Sequence, residues 1–300
     1  MLTHSQWRGN TGGTTWMQRL LPGLIRFSGV WPIYIFMGVF VIPFYMLFNH
    51  KGYSAIYSYM REAHHFKPFK AFRWTYLNHF RFGQIIIDRF ACYGRRKFKF
   101  TLSGNEEFLS LIGGKSGFLV LSSHIGNYEM AGYSFQATNK KFNALVFSGE
   151  SKEVMKNRER ILSENNINMI EVKEDMSHIF LMNSALESGD IVSVPADRIF
   201  GSPKSLECSF FGRKAKFPLG PFALACSKDV PVIALFVMKE DGKNYTVYVR
   251  RLPEPEGAKI SDRASCLAQS FALEVETVLK KYPEQWFNYF NFWKNDGAES

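Results

Sequence analysis

FLVLSSHIGNYEMAG, Phe118 to Gly132, is the stretch that decides how this chain folds. Phe118–Ser122 is a short unbroken apolar run, the pattern of a strand buried on both faces. His124 follows at its end. Gly126 permits backbone angles closed to other residues, Asn127 is a good helix N-cap, and a helical pattern opens at Tyr128. Glu129 comes five positions after His124. On one continuous helix that spacing leaves two side chains about 140° out of phase. They meet only if His124 lies in the strand-to-helix turn and Glu129 in the first helical turn, where the helix dipole also favours an ionised carboxylate. The chemistry then expected is a base and its orienter. Glu129 accepts a hydrogen bond from one imidazole nitrogen, and the other takes a proton from an attacking hydroxyl. A bare spacing of this kind is more often a histidine at a helix end beside an unrelated surface glutamate, so the placement carries the argument.

Outward from this run the texture is regular. Strands are predicted at Lys97–Leu102, Phe118–Ser122, Asn143–Phe147, Met169–Val172, Ile191–Pro195, Val232–Val237 and Tyr245–Val249. Helices are predicted at Asn105–Leu111, Tyr128–Gln136, Lys152–Glu164, Met176–Leu186, Gly220–Ser227 and Asp262–Lys280. Such alternation implies an α/β fold with a largely parallel central sheet flanked by helices. Sites in such sheets lie at the carboxyl ends of strands. Asp197 and Arg198 follow the strand Ile191–Pro195, which puts them at the same edge as His124. An arginine there can bind a phosphate or stabilise a developing oxyanion; a local ion pair shaping the loop is the plainer alternative.

Before residue 96 the chain reads as helical: Trp16–Ser28, an apolar segment, then Ala55–His65, Pro68–His79 and Phe82–Tyr93. The division expected is an N-terminal helical membrane-associating unit over residues 1–95 and an α/β catalytic domain over 96–300. Residues 29–48, GVWPIYIFMGVFVIPFYMLF, carry no charge and match a bilayer core in helical length. Pro32 and Pro43 can kink such a helix or let it turn back into one leaflet. Membrane association is expected; topology stays open, since flanking charge is even. The net charge is +10. Residues 51–100 concentrate it, with eleven Lys or Arg against Glu62 and Asp88, interleaved with aromatics. That pattern suits either solvated basic helix faces or contact with anionic headgroups. Four scattered cysteines, without a Cys-x-x-Cys, fit buried thiols better than a disulfide scaffold.

The ordered set HIGNYE, VPADRIFGS, SFFGRKAKFPLGPFALA and VPVIALFV resembles the lipid A biosynthesis (lauroyl/myristoyl) acyltransferases of the lysophospholipid acyltransferase-like superfamily. QWFNYFNFW near the end and WRGNTGGTTW near the start are similar to the family's terminal blocks. The resemblance implies transfer of a fatty acyl chain from an acyl carrier protein or coenzyme A thioester to a hydroxyl of a lipid acceptor. The acceptor it implies is a lipid A precursor, and the place the cytoplasmic face of a bacterial inner membrane. It implies His124 and Glu129 as the catalytic dyad, Asp197 and Arg198 near the acceptor, and Phe210, Phe211 and Gly212 lining the site or acyl pocket. On the residues alone, that last trio reads as core packing with a turn glycine. Family members often carry an arginine after the strand at Asn143–Phe147, where this chain has Ser148-Gly149-Glu150. The oxyanion donor is therefore left among Arg158, Arg160 and Arg198. Acyl carrier protein, membrane lipid and the lipid acceptor are the expected partners; the thioester is a co-substrate, and no cofactor or metal is expected.

Gly114-Lys115-Ser116 is not a phosphate-binding loop, because Leu109 stands where a glycine is required and the loop precedes its strand. No G-x-S-x-G elbow occurs, and no metal motif. The basic region has no nucleic-acid module, so no nucleic acid is expected as a partner. Three other readings stay open: acylation of an aminolipid or glycolipid, a thioesterase or lipid hydrolase in which His124 activates water, and a non-catalytic membrane-binding protein.

Overall fold

The computed structural model describes residues 23–293, except 26, 49, 94–95, 131–139, 147–151, 165, 174 and 200–203. The opening WRGNTGGTTW block, most of the helix expected at Trp16–Ser28, Arg95 and Ser148-Gly149-Glu150 lie outside the described residues, as does the helix expected over Tyr128–Gln136 beyond Met130.

An apolar helix α1 (Trp31–Phe48) leads into α2 (His50–Glu62) and α3 (Pro68–Tyr93). The α/β part then runs β1 (Lys99–Ser103), α4 (Asn105–Gly113), β2 (Phe118–Ser122), a 3-10 turn at Tyr128–Met130, β3 (Phe142–Val146), α5 (Lys152–Glu164), β4 (Ile167–Glu171), α6 (Ser177–Glu187) and β5 (Ile191–Pro195). A hairpin of β6 (Ser205–Phe210) and β7 (Arg213–Pro218) follows, then α7 (Leu219–Lys228), β8 (Val232–Asp241), β9 (Asn244–Arg251), α8 (Ile260–Lys281) and a 3-10 turn at Pro283–Gln285.

The central sheet has seven strands in the order β1-β9-β8-β2-β5-β3-β4. Every neighbouring pair is parallel except β8–β9, so the fold is α/β with a mostly parallel sheet, as the alternation implied. β2 is buried along its whole length because both faces are covered. Leu119 and Leu121 pack with Val192, Phe236, Phe222 and Phe271 on one side; Phe118 and Val120 pack with Phe108, Ile233 and Leu235 on the other. Each such side chain removed from water contributes roughly 1.5–3 kcal/mol. α8 turns Leu267, Phe271, Val275, Val278 and Leu279 inward at helical spacing, which seats it on the first of these faces.

The β6–β7 hairpin, absent from the sequence reading, has Phe210 opposite Arg213. Phe211 (φ 52°) and Gly212 (φ 69°) therefore form its two-residue turn, and such turns need positive φ at both positions. A phenylalanine there is unusual. Its amide is held by Glu276 Oε2 at 2.6 Å and its ring packs against Tyr59 and His64.

α1 is continuous through both prolines. Pro32 occupies the first turn, where no amide is needed. Before Pro43, residues Met37–Val41 widen into a π turn, with the Ile42 amide bonded to the Met37 carbonyl. This relieves the clash of the proline ring with the preceding turn. α3 is also one helix, where the sequence suggested a break at Phe80–Arg81. Gly83 sits inside it with Met37 pressed against its backbone, and Gly38 lies against Phe80, so the small residues let α1 and α3 approach closely.

Ile56, Tyr59, Met60, Ala63 and Ala71 belong to the same core as β2, which joins the N-terminal helices to the sheet. A polar knot reinforces the join. Asp88 of α3 and Lys239 of β8 pair within the core, and the hydroxyls of Tyr34 and Tyr245 donate to the same Asp88 carboxylate.

Candidate active site

His124 owes its position to three elements. β2 and β5 run parallel in register, with Ser122 beside Pro195, and the Ala196 amide bonds the Ser122 carbonyl at 2.8 Å. The residues immediately after the two strands therefore emerge side by side. β8 continues past the end of β2, and its Val237 carbonyl accepts the Asn127 amide at 2.7 Å. Gly126 (φ 57°) is forced here, since a Cβ would collide with that Val237 carbonyl oxygen. Finally the segment after α8 clamps the turn from outside: Gly126 N–H donates to Gln285 O at 2.8 Å, and Phe287 N–H to His124 O at 3.1 Å.

Asp197 grips His124 twice. Its Oδ1 lies 2.7 Å from Nδ1 of the ring, and its Oδ2 accepts the backbone amide of His124 at 2.8 Å. The carboxylate is buried, while the imidazole stays 19% exposed. Burial by itself raises an aspartate pKa. The charge and hydrogen bonds of His124, together with the Arg198 charge, outweigh it and hold Asp197 below the ordinary carboxylate value. An ionised Asp197 makes Nδ1 the protonated nitrogen, which leaves Nε2 as the proton acceptor. Tyr128 packs edge-on against the ring, 5.3 Å between centroids.

The sequence reading gave the orienting role to Glu129; the structure gives the Nδ1 contact to Asp197. Glu129 lies in the 3-10 turn, and its Oε1 is 2.6 Å from Arg89 of α3. The distinction is one of topology. Asp197 is 73 residues away in sequence, yet the β2–β5 register makes it the immediate neighbour of the turn. Arg89 carried no signal as a site residue in the sequence, because nothing local shows which face of α3 meets the turn.

Arg198 remains next to the pair, donating from Nη2 to Phe287 O at 2.9 Å, with its pKa lowered by burial. Of the other arginines weighed for the oxyanion, Arg160 is on the exposed face of α5, 2.6 Å from Glu164, on the side of the edge strand β4. The side chain of Arg158 lies outside the described residues. The amides of Gly126 and Asn127 are both taken by protein carbonyls, and Arg198 follows Asp197 directly, its charge acting on that carboxylate. Phe210, Phe211 and Gly212 are in the hairpin. Phe210 is fully buried against Trp286, the residue bridged to Ile125, so this trio supports the turn from behind instead of joining the His124–Asp197–Arg198 group.

A partly exposed imidazole held by a buried carboxylate, with no serine or cysteine bonded to the ring among the described residues, suits a reaction in which one substrate's own hydroxyl attacks another's carbonyl. Comparison with individually curated proteins returns no match. The family described as bacterial lipid A biosynthesis acyltransferase matches residues 89–295, a stretch running from Arg89 past Phe287 that contains every residue of this site. The apolar helix lies ahead of that stretch. With more than half of its length matched, the chain belongs to the bacterial lipid A biosynthesis acyltransferase family and is an acyltransferase.

Proposed function

We propose that the protein is a membrane-associated O-acyltransferase that moves a fatty acyl chain from a carrier-protein or coenzyme A thioester to a hydroxyl of a lipid acceptor, a lipid A precursor in the first instance. The observation that carries this reading is the doubly bonded His124–Asp197 pair. Asp197 fixes the tautomer, and Nε2 of His124 removes the proton from the acceptor hydroxyl. The oxygen forms a bond to the thioester carbonyl carbon, and Arg198 offers its charge to the oxyanion. Collapse breaks the carbon–sulfur bond, and the departing thiolate takes the proton back from His124. Glu129, through Arg89, ties α3 to the turn that bears the base.

Membrane association rests on α1. It is long and apolar enough to cross a bilayer, and only 22% of it is buried. Trp31, Ile35, Phe36, Val39, Phe40, Phe44, Leu47 and Phe48 are all exposed, more apolar surface than a soluble protein ordinarily leaves bare. The cytoplasmic face of an inner membrane is the compartment where carrier-protein thioesters and such a helix coincide.

The test is product analysis with purified protein in lipid nanodiscs, supplied in turn with acyl carrier protein and coenzyme A thioesters. Acylated lipid A precursor forming as thioester disappears is the expected result. Free fatty acid released at that rate would make the protein a hydrolase. Acylation only of an aminolipid or glycolipid would keep the chemistry and replace the acceptor.

A further inference from the structure

The two long faces of α3 keep different company. Phe69, Phe72, Tyr76, Phe80, Gly83 and Ile87 fall within about 80° of one another at 3.6 residues per turn, so they form one stripe along the helix. From Tyr76 to Ile87 that stripe is covered by α1. The Tyr76 hydroxyl donates to the Gly38 carbonyl at 2.9 Å, Met37 presses on Gly83, and Ile87 packs in one cluster with Tyr34 and Ile42. The opposite face of α3 meets the α/β body, with Ala71 in the main core and Asn78 Nδ2 donating to the carbonyls of Glu284 and Trp286. The layers are body, α3, then α1 outermost.

α1 runs antiparallel to α3 and stays alongside the body from end to end. At its start the Trp31 ring lies against Gly242, in the turn between β8 and β9, and Arg96 approaches Gly29. Near its other end the Tyr45 ring is 5.8 Å from His79, which is 5.2 Å from Tyr289, two residues past the Phe287 amide that bonds the His124 carbonyl. Its eighteen residues measure about 27 Å as a helix, close to the full thickness of the hydrocarbon core. A crossing α1 would therefore draw α3 and the adjoining body into the hydrocarbon. Arg81, partly exposed beside the middle of α1 and 3.7 Å from Glu284, would be carried to a depth where charge is strongly disfavoured.

A helix lying along a membrane surface meets no such conflict. The outer face of α1 is apolar, with Phe36, Phe40 and Phe44 bare. The α3 stripe continues this surface past the end of α1, where Phe69 is 82% and Phe72 50% exposed, beside exposed Lys70 and Arg73. Positive charge stands at both ends of α1, Arg96 at the first and Lys51 after the second. Such evenness gives a spanning helix no preferred orientation, and it suits a helix whose two ends rest on one anionic surface.

We infer that α1 does not span the bilayer: it lies in the plane of one leaflet of an anionic membrane, with Phe69 and Phe72 entering the same leaflet. The inference rests on the reading of α1 as the membrane contact and adds its orientation. Because the end of α1 adjoins the segment that clamps the His124 turn, the site is held at that leaflet's surface.

The experiment places thiols at the two ends of α1 in the full-length protein, by Ser28→Cys and Lys51→Cys, each in a Cys266→Ser background. Labelling by a membrane-impermeant maleimide is compared in spheroplasts and in inverted inner-membrane vesicles from bacteria expressing each variant. Both thiols should label in the inverted vesicles, and both should fall to the background level in spheroplasts. Labelling of the two ends from opposite sides would overturn the in-plane helix and leave membrane association standing. A bimane fluorophore on Phe69→Cys, with the protein bound to anionic phospholipid vesicles, should be quenched by lipids brominated near the headgroup. A fluorophore left in water on vesicle-bound protein would overturn the shared surface. Protein that fails to sediment with the vesicles would defeat the membrane reading itself, and the in-plane helix with it.

Discussion

Lys239 Nζ lies 2.6 Å from Asp88 Oδ2, and both side chains are fully buried. The same carboxylate takes hydroxyls from Tyr34 of α1 and Tyr245 of β9, and Tyr245 in turn accepts Asn127 Nδ2 at 3.3 Å. The apolar helix and the His124 turn are therefore two ends of one polar knot. Replacing Lys239 by Met strands a carboxylate in the core, and breaking a buried pair in this way costs roughly 3–5 kcal/mol. Asp88→Leu combined with Lys239→Met should recover much of that loss. Urea unfolding of the single and double variants decides it; additive losses would show that the pair is not coupled.

Asp197 and Glu129 make separable contributions under the proposed mechanism. Losing the base in His124→Ala should lower kcat by about 10²–10⁴. Asp197→Asn should approach that effect, because an amide cannot hold Nδ1–H while stabilising the imidazolium. Glu129→Gln should cost less, since it weakens the charged Arg89 contact and leaves the Nδ1–Asp197 bond in place. Single-turnover rates with one thioester rank the three variants. A Glu129→Gln loss exceeding that of Asp197→Asn would restore Glu129 as the ring's functional partner.

His64 is a pH-dependent element of the fold. It sits among Tyr59, Phe66 and Phe211 with Nε2 2.7 Å from the Tyr59 hydroxyl, and burial lowers its pKa from 6.5 to about 4. An imidazole depressed in the folded state contributes stability that is present above pH 6.5 and is lost as pH falls toward 4. Wild-type protein should lose roughly 1–3 kcal/mol across that window relative to His64→Gln, judged from the size of the shift. Melting curves at pH 7.5 and 4.5 in the same detergent give the comparison. Parallel behaviour of the two proteins would remove His64 from the account.

The exposed face of α1 offers a test that spares the core. Phe40 and Phe44 point away from the protein. Aspartates at both positions should release the protein from anionic vesicles in high salt, where the wild type stays bound. Binding left at low salt should fall as salt rises, because Lys67, Lys70 and Arg73 flank exposed Phe69 and Phe72 at the start of α3 and act through screened charge. Co-sedimentation across a salt series reads both effects. Unchanged binding of the double aspartate variant would place the membrane contact elsewhere.

How much of this was legible beforehand depends on how local each signal is. β2 and β5 fall where the sequence put them because a strand covered on both faces is one apolar run with sharp ends. The β6–β7 hairpin was missed because it turns at Phe211-Gly212 without an Asn-Gly signal, although SLECSF and RKAKFP alternate polar and apolar residues as half-exposed strands do. His124 was found from its own neighbours. Its partner was not, because the bond to Asp197 exists only through strand register, and the appeal of Glu129 came from proximity in sequence. Arg89, Phe287 and Tyr289 are further still: helix facing and the path of the last segment decide them, and no periodicity records either.

The clamp on the catalytic turn also sets an order of events during synthesis. His124 leaves the ribosome well before Gln285 and Phe287, whose backbone bonds fix it, and β1 waits for β9 in the same way. A nascent or prematurely terminated chain thus carries its base and its carboxylate without the frame that aligns them. Under the proposed mechanism the base is aligned only after the segment following α8 has docked on the turn, which couples activity to completion of the fold.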